Sequence, residues 1–151
     1  MSKIYPLYPT PIYEERISEP LLTPLQDEVL GVYKDLDASN LFHQFPKREG
    51  KYHSVSDTTF GKGTLQNKYP LEVMEEVIHL NAITYMKSIN APTRVIEALI
   101  NESYEIVMWM TKTVKGKHAV EHGHGEADIS GVYYLQTNSS DGNIFFGTPI
   151  A

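Results

Sequence analysis

The chain has no cysteine. That excludes disulfides and thiolate metal centres, so any bound metal must be held by histidine and carboxylate. It also lacks a dense run of Lys or Arg, and its formal charge is −6. Without a basic stripe to track phosphates, nucleic acid is not expected as a partner. No apolar stretch approaches the roughly 20 residues of a bilayer span, and the N-terminus carries no signal-peptide core. The expectation is therefore a protein that stays off the membrane, in the cytoplasm. Internal repeats and low-complexity tracts are missing too. What remains is 151 residues, 41% hydrophobic and 21% charged. That composition suits a single soluble domain, 1–151, with an ordinary core.

Against these absences stands one concentrated feature. The stretch His118-Ala-Val-Glu-His122-Gly-His124-Gly-Glu-Ala-Asp128 holds three of the six histidines and three carboxylates, Glu121, Glu126 and Asp128. It runs into the apolar, β-prone segment Gly131-Val-Tyr-Tyr-Leu135. Neutral imidazole is the commonest protein ligand for transition metals. In an extended segment side chains two apart share a face, which suits His122 and His124 to grip one ion. Gly123 and Gly125 leave room beside the backbone for an ion or small ligand. The plain alternative is three surface histidines in a Gly-rich turn, and a bare His-x-His pair does not by itself decide between the two. His43, His53 and His79 read as surface or boundary side chains, and most of the ten tyrosines as ordinary packing.

Elsewhere the text divides into helices first and strands afterwards. Ile4 to Tyr13 carries three prolines among apolar residues and reads as an edge strand or extended segment. Thr23-Pro24-Leu-Gln26 resembles a helix start, with Thr as the cap, and Leu25, Val29, Val32 or Tyr33, and Leu36 follow at helical spacing. Asp37 to Gly63 is polar and without clear period, and reads as a long irregular connection. A second helix opens at Pro70 with acidic first turns, shows Leu71, Met74, Val77/Ile78, Ala82, Tyr85 and Ile89 on one face, and stops at Asn90-Ala-Pro92. From Tyr104 the residues become β-branched and aromatic, predicting a strand to Val114, a turn at Gly116, a strand over Gly131–Leu135, a loop over Asn138–Gly142 and a strand over Asn143–Phe146. This order predicts an α+β fold.

Two known patterns bear on the histidines. Gly116, His122 and His124 are spaced as in the front half of the first cupin motif, with Asp128 nearer than Glu126 to that motif's glutamate; the second cupin motif has no counterpart. A longer string, His122-Gly-His124-Gly-Glu-Ala-Asp-Ile-Ser130-Gly131-Val-Tyr133-Tyr134-Leu135, resembles the H-x-H … S-G-V-Y-Y signature of an Fe(II)/2-oxoglutarate-dependent oxygenase family of marine bacteria and their phages. The strand bearing Trp109, the segment Gly142-Asn-Ile-Phe-Phe146 with Pro149, and the proline-rich opening and helical preface are likewise similar to that family.

The resemblance implies N-terminal helices (about 1–100) packed on a partial double-stranded β-helix, a cupin-like jelly roll whose strands fill about 102–151. It implies Fe(II) as the metal and 2-oxoglutarate as co-substrate, in a hydroxylase of unknown substrate. His122 would be the first iron ligand and His124 would stand at the usual carboxylate position, with Asp128, and Glu126 besides, as lower-ranked alternatives. Tyr134 would line the co-substrate pocket; simple packing is its other reading. A facial triad leaves open positions for the oxo-acid and dioxygen. The family places a distal histidine and a basic residue late in the chain, whereas here no histidine follows His124 and no arginine follows Arg94. The expectation is a truncated member with its late strands missing, and with open sheet edges that invite pairing into a homo-oligomer. If phage-encoded, it would work in the bacterial host cell. A non-enzymatic jelly-roll binding or phage accessory protein, and a cupin-like metal protein using His122, His124 and Asp128, stand as alternatives. No catalytic side chain beyond the ligands is assigned.

Overall fold

Leu25, Val29, Val32 and Leu36 recur at the helical period, and in the computed structural model they form the buried face of α1 (Leu22–Ala38). Residues 11–44, 56–119, 122–125 and 127–146 are described. Most of the expected Ile4–Tyr13 segment, together with His53, Glu121, Glu126 and Pro149, lies outside them. α1 starts ahead of the expected Thr23 cap. The Thr23 hydroxyl donates back to the Glu19 carboxylate (2.5 Å) instead of accepting from a helix N–H.

The second helix, α2 (Glu72–Ser88), has acidic residues Glu72 and Glu75 in its first turn and Lys87 in its last, as its macrodipole favours. No side chain of its own capping residue closes its N-terminus. Glu28 of α1 does so instead: its two carboxylate oxygens accept from the backbone N–H groups of Val73 (3.0 Å) and Met74 (2.9 Å). One side chain thus satisfies two orphan donors and fastens α1 to α2. A third helix, α3 (Thr93–Ile100), was not foreseen; it follows directly from the Pro92 expected only to end α2.

All three helices stop by the same device. A residue in the left-handed region, Asn40 (φ 52°), Asn90 (φ 53°) or Glu102 (φ 54°), turns the chain back. The next N–H then reaches the helix's last free carbonyls: Leu41 N to Leu36 O, Ala91 N to Met86 O, and Ser103 N to Ala98 O, at 2.8–3.0 Å. Asparagine tolerates that backbone; glutamate at position 102 does so at a steric cost.

The sheet is small. β1 (His43–Gln44), β2 (Asp57–Thr58) and β3 (Thr111–Lys112) form one antiparallel sheet in that order, with His43 opposite Thr58 and Thr58 opposite Thr111. Hydroxyls hold it as much as the ladder does. Ser56 and Thr113 share a 2.7 Å hydrogen bond, Thr58 Oγ1 donates to the Met110 carbonyl (3.2 Å), and Thr59 Oγ1 accepts from Met110 N (3.0 Å). Ser56, Thr58 and Thr59 are all buried, so these bonds satisfy groups that have left water.

The expected double-stranded β-helix, jelly-roll and cupin-like architecture is not formed: three helices and this three-stranded sheet are the regular structure of the described residues, a plainer α+β arrangement. Gly131–Leu135 and Asn143–Phe146 have strand composition, but a strand exists only where a neighbour answers its N–H and C=O groups, and neither segment enters a ladder. Their apolar side chains stand largely in solvent, with Val132 66%, Ile144 54% and Phe145 86% exposed. The polar Asp37–Gly63 stretch, expected to be irregular, supplies two of the three strands instead.

The core sits between α1, α2 and the segment before β3. Val32, Leu36, Leu65 and Leu71 form one cluster; Leu25, Val29 and Val77 form another; Met74 and Met110 touch both. Tyr133 and Leu135 pack on the second cluster and bring the chain after the histidines back to the helices. No helix among the described residues is long and apolar enough to cross a membrane.

Candidate metal centre

The turn at Gly116 forms as its residue type demands, with φ at 83° and Lys117 N bonded to Val114 O (2.9 Å). His118 then pairs its carbonyl with Ser56 N (2.9 Å), which ties the start of the histidine stretch to the sheet. Beyond it the backbone is open. Gly125 adopts φ 54°, where a side chain is disfavoured, whereas an added Cβ at Gly123 would meet nothing within 4 Å. Gly125 is therefore favoured by the turn itself, and close approach of a ligand is not needed to explain either glycine.

His122 and His124 come together. Their ring centres lie 4.9 Å apart with planes at 71°. A metal–nitrogen bond of about 2.1 Å puts an ion roughly 3.2 Å from a ring centre; two rings about 90–110° apart around it then have centres roughly 4.5–5.3 Å apart. The observed separation falls within that window, and two neutral imidazoles suit ferrous, manganous or zinc ions. Donor type and ring separation are both compatible with one divalent ion between the two imidazoles. Among the described residues no third His, Asp or Glu completes a group able to hold a metal, so Asp128, which is exposed, does not join the pair.

His124 has an aromatic backing. Its ring stacks on Trp109, centres 5.7 Å apart and planes at 29°, and Phe60 meets Trp109 edge-on at 5.0 Å and 70°. Neither contact was foreseen from the sequence, because both residues lie far from the histidines along the chain. The signal, in retrospect, is the single tryptophan at the centre of the strand-like segment that ends in β3. Tyr134 is 57% exposed, while its neighbour Tyr133 packs inward and burial pushes the Tyr133 phenol pKa up. His79 is the satisfied boundary residue it was expected to be: Nδ1 lies 2.8 Å from the Tyr104 hydroxyl, and the two rings stack. Burial first, then the charges of Glu102 and Glu75, raise the Tyr104 pKa. Those carboxylates, with Glu72, Glu76, His79 and Tyr104, line a cleft of about 480 Å³ beside α2.

No protein-family model, curated protein or solved structure matches this chain.

Proposed function

We propose that this chain is a non-haem Fe(II)- and 2-oxoglutarate-dependent oxygenase domain whose metal is held by His122 and His124. The observation that carries the metal assignment is the 4.9 Å spacing of the two rings. The choice of iron and oxo-acid rests on the resemblance of His122–Leu135 to that oxygenase family. When bound, the iron supplies the redox chemistry that couples oxidative decarboxylation of the oxo-acid to hydroxylation of a substrate C–H bond. The protein's own part is positional. His122 and His124 would supply two nitrogen donors and leave the remaining positions to the co-substrate and dioxygen. Trp109, braced edge-on by Phe60, lies against one face of the His124 ring and covers it with apolar surface.

The test is anaerobic titration of the full chain with Fe(II) and 2-oxoglutarate. A weak visible charge-transfer band that needs both additions, and that vanishes in the His122→Ala/His124→Ala double variant, supports the assignment. Metal binding that ignores 2-oxoglutarate supports a metal protein that does not use the oxo-acid. Undiminished metal affinity in the double variant overturns the site altogether. A second reading, a non-enzymatic binding module, is favoured by the exposed apolar side chains of Val132, Tyr134, Ile144, Phe145 and Phe146. It predicts neither the band nor any metal uptake.

A further inference from the structure

Trp109 and His124 are held in very different ways. The peptide units around Trp109 are fastened on both sides. Met108 N donates to Thr64 Oγ1 (2.9 Å), and the Met108 carbonyl accepts from Leu65 N (2.9 Å). Met110 N donates to Thr59 Oγ1 (3.0 Å), and its carbonyl accepts from Thr59 N (2.9 Å). Thr59 is 4% exposed, so that anchor is part of the interior. Phe60 follows it directly and wedges its ring against the indole. His124, in contrast, stands between two glycines in an exposed turn, where the backbone alone allows its ring many directions.

We infer that Trp109 is a positioning residue for the metal ligand His124. The indole is a fixed flat surface, and the imidazole lying on it at 29° loses most of its freedom to swing before any ion arrives. A ligand ordered in advance binds more tightly, because the ordering entropy is not charged against the binding step. The stacking restricts the directions open to the His124 ring, one of the two donors the ion would need. This inference rests on the metal reading above and adds to it the residue that makes the pair competent. Contacts that orient metal ligands without touching the ion typically contribute about 10–100-fold in affinity.

The chain has one tryptophan, so its fluorescence reports this position alone. Titration of the full chain with Co(II), a paramagnetic quencher, is expected to quench that emission saturably, and His124→Ala is expected to abolish the saturable phase. Calorimetric titration with Co(II) then compares two smaller apolar replacements. Trp109→Phe, which keeps a flat ring, is expected to bind within about threefold of the unsubstituted chain. Trp109→Leu, apolar but without a flat face, is expected to bind at least about 10-fold more weakly. Melting curves of the two variants that coincide separate this loss from a general loss of packing. Equal Co(II) affinity in Trp109→Leu and the unsubstituted chain overturns the positioning role while leaving the metal site standing. So does an equal loss in Trp109→Phe and Trp109→Leu. Absence of Co(II) binding by the unsubstituted chain overturns the metal site first, and the positioning role with it.

Discussion

The helical portion and the stretch that follows β3 obey different rules. In the first, the apolar face of α1 and the residues packed on it are inside: Leu25 is fully buried, Leu36 is 2% exposed and Leu71 is 4% exposed. In the second, residues just as apolar stand in water, and among the described residues only Tyr133 and Leu135 reach the core. Apolar side chains that cover one another stabilise a fold; apolar side chains left in solvent do not, whatever their sequence suggests. The histidine pair belongs to the second region by sequence and leans on the first through Trp109. A turn proposed to hold a metal would be well served by such a border, where rigid residues support a conformationally permissive backbone.

Substitutions in the two regions should therefore differ sharply in effect. The largest is expected at Leu25, which has no exposed surface and touches both helices' packing through the Val29–Val77 cluster. Leu25→Ala removes a fully buried side chain and leaves a cavity, and is expected to cost about 3 kcal/mol in urea or guanidinium unfolding. A loss below about 1 kcal/mol would show that the second cluster is not the structural centre, and the contrast between the regions would fail at its stronger end. A smaller effect is expected from Glu28→Ala. It strips the acceptor from Val73 N and Met74 N and leaves the first turn of α2 uncapped, at about 1–2 kcal/mol. Glu28→Gln keeps an oxygen acceptor but not the charge, and should fall between the two. If Glu28→Ala is neutral in the same unfolding measurement, water replaces the carboxylate and the α1–α2 fastening is not energetic.

How far the sequence could be read follows the same division. α1 and α2 were legible because burial there has a 3.6-residue period that Leu25, Val29, Val32 and Leu36 print directly into the text. α3 was not, since eight residues starting beside a helix-ending proline offer two turns of pattern at most. The sheet was invisible for another reason. β1 and β2 lie in a polar stretch whose buried residues are Ser56, Thr58 and Thr59, so the pairing is held by hydroxyl groups and carries no apolar alternation. The error over Gly131–Phe146 was the mirror image: alternation was present, and partners were not. Strand propensity describes fit to a pleated surface, and that surface must exist first. The closeness of His122 and His124 was legible because two residues in one short extended segment share a face. The pair's aromatic support was not, because stacking on Trp109 depends on where the turn after β3 brings the chain back.

The smallest effect is expected at Phe145 and Phe146, and it tests the weaker end of the contrast. Both rings are well exposed, 86% and 62%, and neither belongs to either core cluster. Removing them exposes no buried neighbour and empties no cavity, so Phe145→Ser/Phe146→Ser should change unfolding free energy by no more than about 0.5 kcal/mol. The same variant should bind Co(II) with the affinity of the unsubstituted chain, because no ring contact links these residues to His122, His124 or Trp109 among the described residues. Solubility is where a change should appear: two fewer exposed aromatic rings reduce the apolar surface available for self-association, which sedimentation at rising protein concentration measures directly. A loss of several kcal/mol in this variant would mean that these rings are covered in the folded protein. The division drawn between a packed helical portion and an open stretch after β3 would then be wrong, and the histidine turn would sit inside the fold instead of on its border.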